Sequence, residues 1–318
     1  MARYIAIRVL AMIPLLLAIA VIAFLLAVAM ETRGSIAGQV CGEGATLECI
    51  EVVEEQLGLN DAIPIRFARW LGNVAQGDFG TSLTNASVHV SSLIGERIWP
   101  TVSIVGFSLV IGVTIGMLMG VVAGLRPGRF ADRVLSVVAA ALIAAPGFVL
   151  AMLLSWWIAV KWGWLDPAGY TRPSESITGW LKSITLPAVA LSLPTTAIVQ
   201  RQLRSAMSNA LQSRYVLAAR SRGVGRPALI GRHALPNAMV PTITAIGFRA
   251  AAALGLTFTV EQVFNINGMG ALVVESIQQR NVPVLQGALL VVGLVVLVVN
   301  LLVDISYGFL NPKVRIDK

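Results

Sequence analysis

Long apolar runs alternate with shorter polar segments along most of the chain. A helix needs about 20 consecutive apolar residues to cross a bilayer, and runs near that length predict one membrane helix each. The predicted spans are Val9–Met30, Ile98–Gly124, Val134–Val160, Ile184–Gln200, Asn237–Val260 and Val282–Leu310. The pattern therefore predicts an all-α membrane protein with six transmembrane helices.

Prolines lie well inside the third and fourth predicted spans, and each removes a backbone hydrogen bond from a helix. Pro146 lies inside the third span, and the short fourth span contains Pro187 and Pro194. Short or proline-interrupted spans often mark the substrate route of transporters. These prolines are equally consistent with simple kinks, and both interpretations stay open at this point.

The segment between the first two spans, residues 31–97, predicts a small folded cap. Short helices are indicated over Glu51–Leu57 and Ile65–Val74, separated by glycine and proline. Cys41 and Cys49 are the only cysteines in the chain and both lie in this segment. Since oxidising compartments permit disulfides, we expect a disulfide-closed loop, with two free thiols as the alternative.

The first apolar run could also belong to a cleaved signal peptide. Arg3 and Arg8 precede it, and Ala27–Ala29 has the small residues of a cleavage site. The apolar core of a signal peptide is about 7–15 residues long, which is shorter than the run Val9–Met30. The length favours an uncleaved first span.

Composition and charge agree with this topology. The chain of 318 residues is 56% hydrophobic and only 13% charged, whereas a soluble domain is about a quarter charged. Fifteen Lys and Arg residues and two acids fall on one side of the predicted membrane, in segments 1–8, 125–133, 201–236 and 311–318. Eight Lys and Arg residues and thirteen acids fall on the opposite side, in segments 31–97, 161–183 and 261–281. The positive-inside rule then makes both termini cytoplasmic, and the basic net charge requires no nucleic-acid partner.

The longest predicted cytoplasmic segment, 201–236, has the pattern of a helix, a turn and a second helix. Gly223 suits a helix C-terminal cap and Pro227 suits the first turn of the next helix. Helical spacing before the turn is seen at Met207, Ala210, Leu211, Arg214, Leu217 and Ala218. The small pair Ala218 and Ala219 would let another protein approach the backbone closely. A basic amphipathic hairpin on anionic lipid is the alternative.

The same segment resembles the signature loop of binding-protein-dependent ATP-driven importers. That signature reads Glu-Ala-Ala, three residues, Gly, nine residues, Ile, one residue and Leu-Pro. The matching positions keep this spacing and are Leu217, Ala218, Ala219, Gly223, His233, Leu235 and Pro236. Leu217 replaces the usual Glu and His233 the usual Ile. Arg232–Leu235 followed by Asn237 resembles the dipeptide/oligopeptide branch of this family.

Further stretches resemble that branch in the same order along nearly the whole chain. They are 57–64, 77–82, Arg97–Thr101, Pro146–Phe148, Glu261–Gly270, Asn300–Asp304 and Asn311–Lys313. The branch usually closes on Asp-Pro-Arg, so that Asn311 and Lys313 are departures.

The resemblance implies the type I ABC importer permease fold, in the plasma (inner) membrane. It divides the chain into 1–97 (first helix and extracytoplasmic region), 98–310 (permease core with the coupling loop 201–236) and a cytoplasmic tail, 311–318. Implied partners are a second homologous permease, two cytosolic ATP-binding subunits or domains, an extracytoplasmic substrate-binding protein and membrane lipid. The implied ATPase-coupling residues are Arg214, Tyr215, Leu217, Ala218, Ala219, Arg220, Gly223, His233, Leu235 and Pro236.

The implied function is transport of di- or oligopeptides, although relatives of this branch take nickel chelates, haem or sugars instead. The chain has no phosphate-binding loop and no His-Glu-x-x-His motif. We therefore expect no catalytic residue, cofactor or metal in this chain, and expect ATP hydrolysis in a partner. A proton-coupled transporter would need embedded carboxylates, and only Asp304 lies within a predicted span. An intramembrane enzyme is disfavoured because His89 and His233 both lie in predicted loops.

Arg249 is a cation near the middle of the fifth predicted span. A charge there is energetically expensive and usually faces the protein interior or finds a partner. It could pair with Asp304, or line the pathway and meet a substrate carboxylate. Local bonds to backbone carbonyls or water are the third possibility. The pathway candidates from the sequence are thus Pro146, Pro187, Pro194 and Arg249.

Overall fold

The structure is a computed structural model, and it is helical throughout almost all of the chain that it describes. The described residues are 2–30, 37–38, 41, 46–56, 58, 60–85 and 87–310. Within them, the only β-type pairing is an isolated antiparallel bridge between Thr81 and His89. The predicted tail 311–318, with its Asn311–Lys313 match, lies outside the described residues, as do Leu57 and Leu59 of the match at 57–64.

The helices are named here in chain order. They are α1 (Ala2–Met30), α2 (Leu47–Gln56), α3 (Ile63–Ala75), α4 (Val90–Leu125), α5 (Phe130–Ala144), α6 (Gly147–Leu154), α7 (Ile177–Leu211), α8 (Arg214–Ser221), α9 (Leu235–Val263), α10 (Met269–Gln278) and α11 (Val282–Leu310). A π-helical turn, Ser155–Lys161, extends α6, and a second one, Leu229–Ala234, leads into α9.

Five helices in the described chain are long and apolar enough to cross a membrane, namely α1, α4, α7, α9 and α11, the last over Val282–Ser306. The pair α5 and α6 makes a sixth span if it is counted as one. The all-α, multi-pass membrane fold predicted from the sequence is therefore confirmed.

The third predicted span is not a straight helix. Its two halves, α5 and α6, meet at an angle of 103°. Ala145 is extended, with φ −77° and ψ 131°, and Pro146 also leaves the helical region. A residue before proline is pushed out of the α region, and proline lacks the N–H that would continue the helix. The single predicted span over Val134–Val160 is thus a pair of helices that are bent at Pro146, the proline predicted inside it.

The fourth predicted span was expected to be short, and this was wrong. Pro187 and Pro194 lie inside the continuous 35-residue helix α7. Sixteen of its 35 residues are buried, and they include most of its apolar part. That packing outweighs the backbone hydrogen bonds that the prolines remove, as protein surroundings commonly do in membranes.

Helix α9 extends beyond its predicted outer end and includes Glu261. The sequence interpretation placed Glu261 in an outer segment and took Asp304 as the only acid in a span. Glu261 is instead fully buried, and its carboxylate accepts a hydrogen bond of 2.6 Å from the hydroxyl of Thr101 in α4. A buried carboxylate needs such a donor, which sequence periodicity does not reveal.

The chain forms two compact units, each described here by itself. The first contains Met1–Arg8, Pro100–Ile266 and Val298–Lys318. In it, α7 is the most buried helix and packs against α5, α6 and α9. The second contains Val9–Trp99 and Asn267–Leu297.

A stripe of glycines on α4 allows that helix to approach α7 closely in the first unit. Gly112, Gly116, Gly120 and Gly124 recur every fourth residue and so share one face. A Cβ on Gly116 would lie 2.7 Å from the carbonyl oxygen of Thr196, and the other three would also be closer than 3.0 Å to α7. Small residues at this spacing let two membrane helices pack backbone to backbone.

The second unit contains the predicted cap. Its helices are α2 and α3, which begin a few residues earlier than predicted. Phe24 of α1 packs against the rings of Phe67 and Trp70 of α3. Before α11, the amide nitrogen of buried Asn281 donates to the hydroxyls of Ser82 and Thr84. The segment after the first span is thus folded.

Candidate functional site

Helix α8 carries six of the ten implied ATPase-coupling residues. One of its faces is buried against neighbouring residues and the other is exposed. Val216 and Ala219 are buried, three residues apart, and pack with Leu229 and Val224. The exposed face carries Arg214, Tyr215, Leu217, Ala218 and Arg220. The alanine pair is therefore divided, since Ala218 faces outward and Ala219 anchors the helix. Leu217 is 53% exposed, which leaves an apolar side chain uncovered in this chain.

The predicted single helix through Met207 to Ala218 is interrupted. Helix α7 ends at Leu211, and α8 starts at Arg214 after extended Ser213. The hydroxyl of Ser213 donates to the carbonyl oxygen of Ala210, which favours a break. Helical periodicity in the sequence runs through this break because the apolar positions at the end of α7 and in α8 keep a compatible spacing.

The turn after α8 is a Schellman motif, as the predicted glycine cap indicates. Gly223 has φ +80°, a conformation that glycine adopts without strain. The N–H of Gly223 donates to the carbonyl of Arg220, and that of Val224 to the carbonyl of Ala219. Pro227 then lies in the first turn of the next helical segment, as expected.

The second half of the signature forms the π-helical turn Leu229–Ala234 and the start of α9. His233 lies in this turn and not in a loop. The carbonyl of His233 accepts hydrogen bonds from Asn237 at 2.7 Å and from the hydroxyl of Tyr215 at 3.4 Å. Pro236 follows, and its ring would displace the carbonyl four residues earlier in an α-helix. π-Helical turns often occur at functional positions, and here the turn connects α8 to α9.

A cavity of about 410 Å³ opens beside α8. Its apolar lining comes from the ends of α4 and α7, from α8 and from the π-helical turn. The lining residues are Leu125, Leu211, Val216, Leu217, Arg220, Val224, Arg226, Leu229 and Ile230. Arg220 and Arg226 add basic groups to this otherwise apolar lining.

The basic turn between α4 and α5 is held by an ion pair that the sequence did not reveal. Asp132 is 2% exposed, and both of its oxygens accept hydrogen bonds from the guanidinium of Arg204 in α7. Its Oδ2 also accepts the N–H of Gly128 at 2.7 Å. The pair ties this turn to the helix that precedes α8.

The cavity beside α8 is lined by none of the four pathway candidates. Pro146 is exposed at the bend, whereas Pro187 is buried in α7. Arg249 is 9% exposed, and its Nε and Nη2 atoms have no hydrogen-bond partner in the described chain. Asp304 forms a salt bridge of 3.1 Å with Arg8. The suggested pair between Arg249 and Asp304 is therefore not formed.

The two cysteines of the cap form a disulfide in the structure, with Cα atoms 6.3 Å apart. The hydroxyl oxygen of Thr46 accepts a hydrogen bond from the backbone N–H of Cys49. The bond links Cys41 to Cys49 in the first turn of α2. The described residues contain no cluster of His, Cys, Asp and Glu that could hold a metal ion.

Two family models match this chain and together cover nearly all of it. Residues 112–316 match the binding-protein-dependent transport system inner membrane component. Residues 1–104 match the N-terminal part of such membrane components. The first match covers α5 to α11 and includes the whole signature segment.

Relatives and solved structures agree with these matches. A probable peptide ABC transporter permease of Sinorhizobium fredii is 35% identical over 89% of this chain and 90% of its own. The glutathione transport system permease GsiC of Salmonella paratyphi A is 34% identical over 99% of both chains. The inward-facing MetNI methionine ABC transporter has the same fold, with TM-score 0.56 and 17% identity over 69% of this chain and 96% of that chain.

Proposed function

This chain belongs to the family of binding-protein-dependent transport system inner membrane components, and on that basis we propose that it transports peptides. It is the transmembrane permease subunit of an ABC importer. As a proposal, it forms half of a translocation pathway for di- or oligopeptides and pairs with a second, homologous permease. The names of relatives that act on peptides and glutathione support this substrate class.

The proposed partners are two cytosolic ATP-binding subunits and an extracytoplasmic substrate-binding protein. The observation that carries the coupling proposal is the geometry of α8. Its buried face fixes the helix, and its exposed face presents Tyr215, Leu217 and Ala218. We propose that an ATP-binding subunit covers this face and places a side chain in the adjoining cavity.

Movement of the ATP-binding subunit would then reach the membrane helices through short connections. Tyr215 bonds to the π-helical turn that enters α9, and only two residues separate α8 from the end of α7. Rigid helices can transmit such a displacement, whereas a flexible loop would absorb it. We further propose that both termini are cytoplasmic and that the pathway involves Pro146, Pro187, Pro194 and Arg249.

Leu217→Arg tests the coupling surface. The side chain is 53% exposed, so that the substitution leaves the fold intact but places a charge in the proposed apolar contact. Because a buried unpaired charge costs several kcal/mol, we expect at least about a tenfold loss of the ATP-binding subunits in a pull-down from mild detergent. Peptide uptake by the reconstituted importer should fall in parallel.

Leu47→Arg is the matched control, because Leu47 is 81% exposed and lies in the cap. This variant should retain the ATP-binding subunits at the wild-type level. Normal retention and normal uptake with Leu217→Arg would contradict the proposed docking surface. Recovery of the wild-type chain alone, without any second permease or ATP-binding subunit, would contradict the proposed assembly.

A further inference from the structure

Arg249 is a buried cation without the compensation that such a group normally has. It lies in α9 and is 9% exposed, and its Nε and Nη2 atoms are buried with no hydrogen-bond partner in the described chain. A buried charge without a partner costs several kcal/mol. Ionisable residues kept inside membrane helices at such a cost generally mark a substrate or ion pathway.

The acids in the described helices of the same unit are engaged elsewhere. Asp304 pairs with Arg8 at 3.1 Å, and Asp132 pairs with Arg204. Glu261 accepts a hydrogen bond from Thr101. None of the described hydrogen bonds or salt bridges gives Arg249 an acidic partner from the described part of its own chain.

The alignment of α7 and α9 along their axes shows which residues of α7 lie at the same height as Arg249. These helices are antiparallel, because Ala238 packs with Leu203 and Met207 at one end. At the other end, the N–H of Gly169, which precedes α7, donates to the carbonyl of Phe264 just after α9. Arg249 lies about three turns beyond Ala238. The antiparallel register therefore places Arg249 level with the turn of α7 that contains Ser192 to Thr196.

That turn of α7 contains a second group without a partner. The hydroxyl of Thr195 is buried and has no hydrogen-bond partner in the described chain. A Cβ on Gly112 would lie 3.0 Å from the Cγ2 methyl of Thr195, so that the methyl group packs against α4. By contrast, Ser192 and Thr196 donate to carbonyls of their own helix. Thr195 therefore keeps a free hydroxyl at the level of the guanidinium.

We infer that Arg249 binds an anionic group of the transported solute, with the hydroxyl of Thr195 as a second donor. For a peptide, this group is a carboxylate, which a guanidinium can bind through two parallel hydrogen bonds. The inference rests on the proposed function, since it assigns a solute contact within the proposed pathway. It also accounts for an unpaired cation that a purely structural role would leave uncompensated.

The test uses the complete importer in proteoliposomes, with trialanine and trialanine amide as probes delivered by the binding protein. These solutes differ in a single carboxylate. Arg249→Gln should reduce uptake of trialanine at least about tenfold, because it removes one charge-assisted interaction. Uptake of trialanine amide should stay within about twofold of the wild-type rate. Arg249→Lys, which keeps the cation, should retain most of the uptake of trialanine.

Phe248→Leu is the control on the same helix, because Phe248 is 76% exposed; it should transport both probes normally. Equal losses of both probes with Arg249→Gln would overturn the inference and assign Arg249 a structural role. Loss of the second permease from the purified Arg249→Gln complex would also overturn it, because an acid of that subunit would then be the counter-charge. If the wild-type importer carries neither probe, the proposed peptide function itself fails.

Discussion

Asp132 shows how a single buried carboxylate can organise the turn between α4 and α5. Its oxygens accept hydrogen bonds from the guanidinium of Arg204 and the N–H of Gly128. Such bidentate, charge-assisted pairs are among the stronger polar interactions in proteins. The sequence interpretation counted both residues only as loop charges. Their pairing was not predictable, because seventy-two positions separate them in the chain.

We predict that Asp132→Asn lowers the stability of the protein in detergent. The amide cannot satisfy Arg204 as the carboxylate does, and we expect a loss of about 1–2 kcal/mol, moderated by the partial exposure of Arg204. Thermal unfolding followed by circular dichroism measures the effect. Arg133→Gln is the control, because Arg133 is exposed on the same helix. An equal loss of thermal stability in both variants would show that a change of net charge, and not the loss of this ion pair, is responsible.

The signature residues also differ in role more than their spacing indicates. Gly223 has the positive φ that its predicted cap position requires. Ala218 and Ala219 were interpreted together as a small surface for a partner, yet only Ala218 is exposed. The difference depends on which side of α8 faces Leu229. A motif in sequence cannot show that side until the turn after it is placed.

At the level of the helices, the glycine stripe of α4 is the clearest feature that the sequence interpretation missed. Its signal was present, since glycine at every fourth position of an apolar helix indicates close helix packing. What the spacing cannot identify is the partner helix. The structure shows that this partner is α7, whose backbone lies where side chains on α4 would otherwise be.

We predict that Gly116→Val disrupts this packing. Its Cβ would lie 2.7 Å from the carbonyl oxygen of Thr196, and overpacking of this kind costs about 1–3 kcal/mol. Gly106→Val makes the same change on the same helix, where a Cβ would meet no atom within 4 Å. Thermal unfolding and gel filtration in detergent should show a less stable protein for Gly116→Val only. Similar behaviour of the two variants would contradict the proposed helix contact.

The proline-containing spans illustrate why element boundaries need tertiary information. Proline stops the helix at Pro146 but not at Pro187 or Pro194. The local chemistry is the same in all three cases, since each proline removes one N–H donor. The surroundings differ, because Pro187 lies in the buried centre of α7 and Pro146 is exposed.

At the scale of the whole molecule, the charge distribution predicts the orientation of the chain in its membrane. The excess of Lys and Arg falls on the segments that contain both termini and the coupling segment. The cap with Cys41 and Cys49 then faces the opposite compartment, where a disulfide can persist.

This orientation is testable with the two native cysteines. In spheroplasts, we expect a membrane-impermeant maleimide to label neither cysteine before reduction and both after an impermeant reductant is added. Mass spectrometry of the purified chain measures the labelling. Labelling before reduction would mean that the disulfide does not form in cells. Labelling that requires both reduction and permeable membranes would place the cap in the cytoplasm.

The sequence by itself determined the features that depend on local composition and spacing. These are the apolar spans, the charge asymmetry, the helix C-cap at Gly223 and the family resemblance, each of which is read from residue types and their spacing along the chain. Only the tertiary structure decided the break at Pro146, the continuity of α7, the burial of Glu261 and the pairs that involve Asp132 and Asp304. These features share one physical reason, because each depends on the free energy of contacts between distant segments. A helical pattern specifies which side of a helix is apolar, but not which partner covers that side.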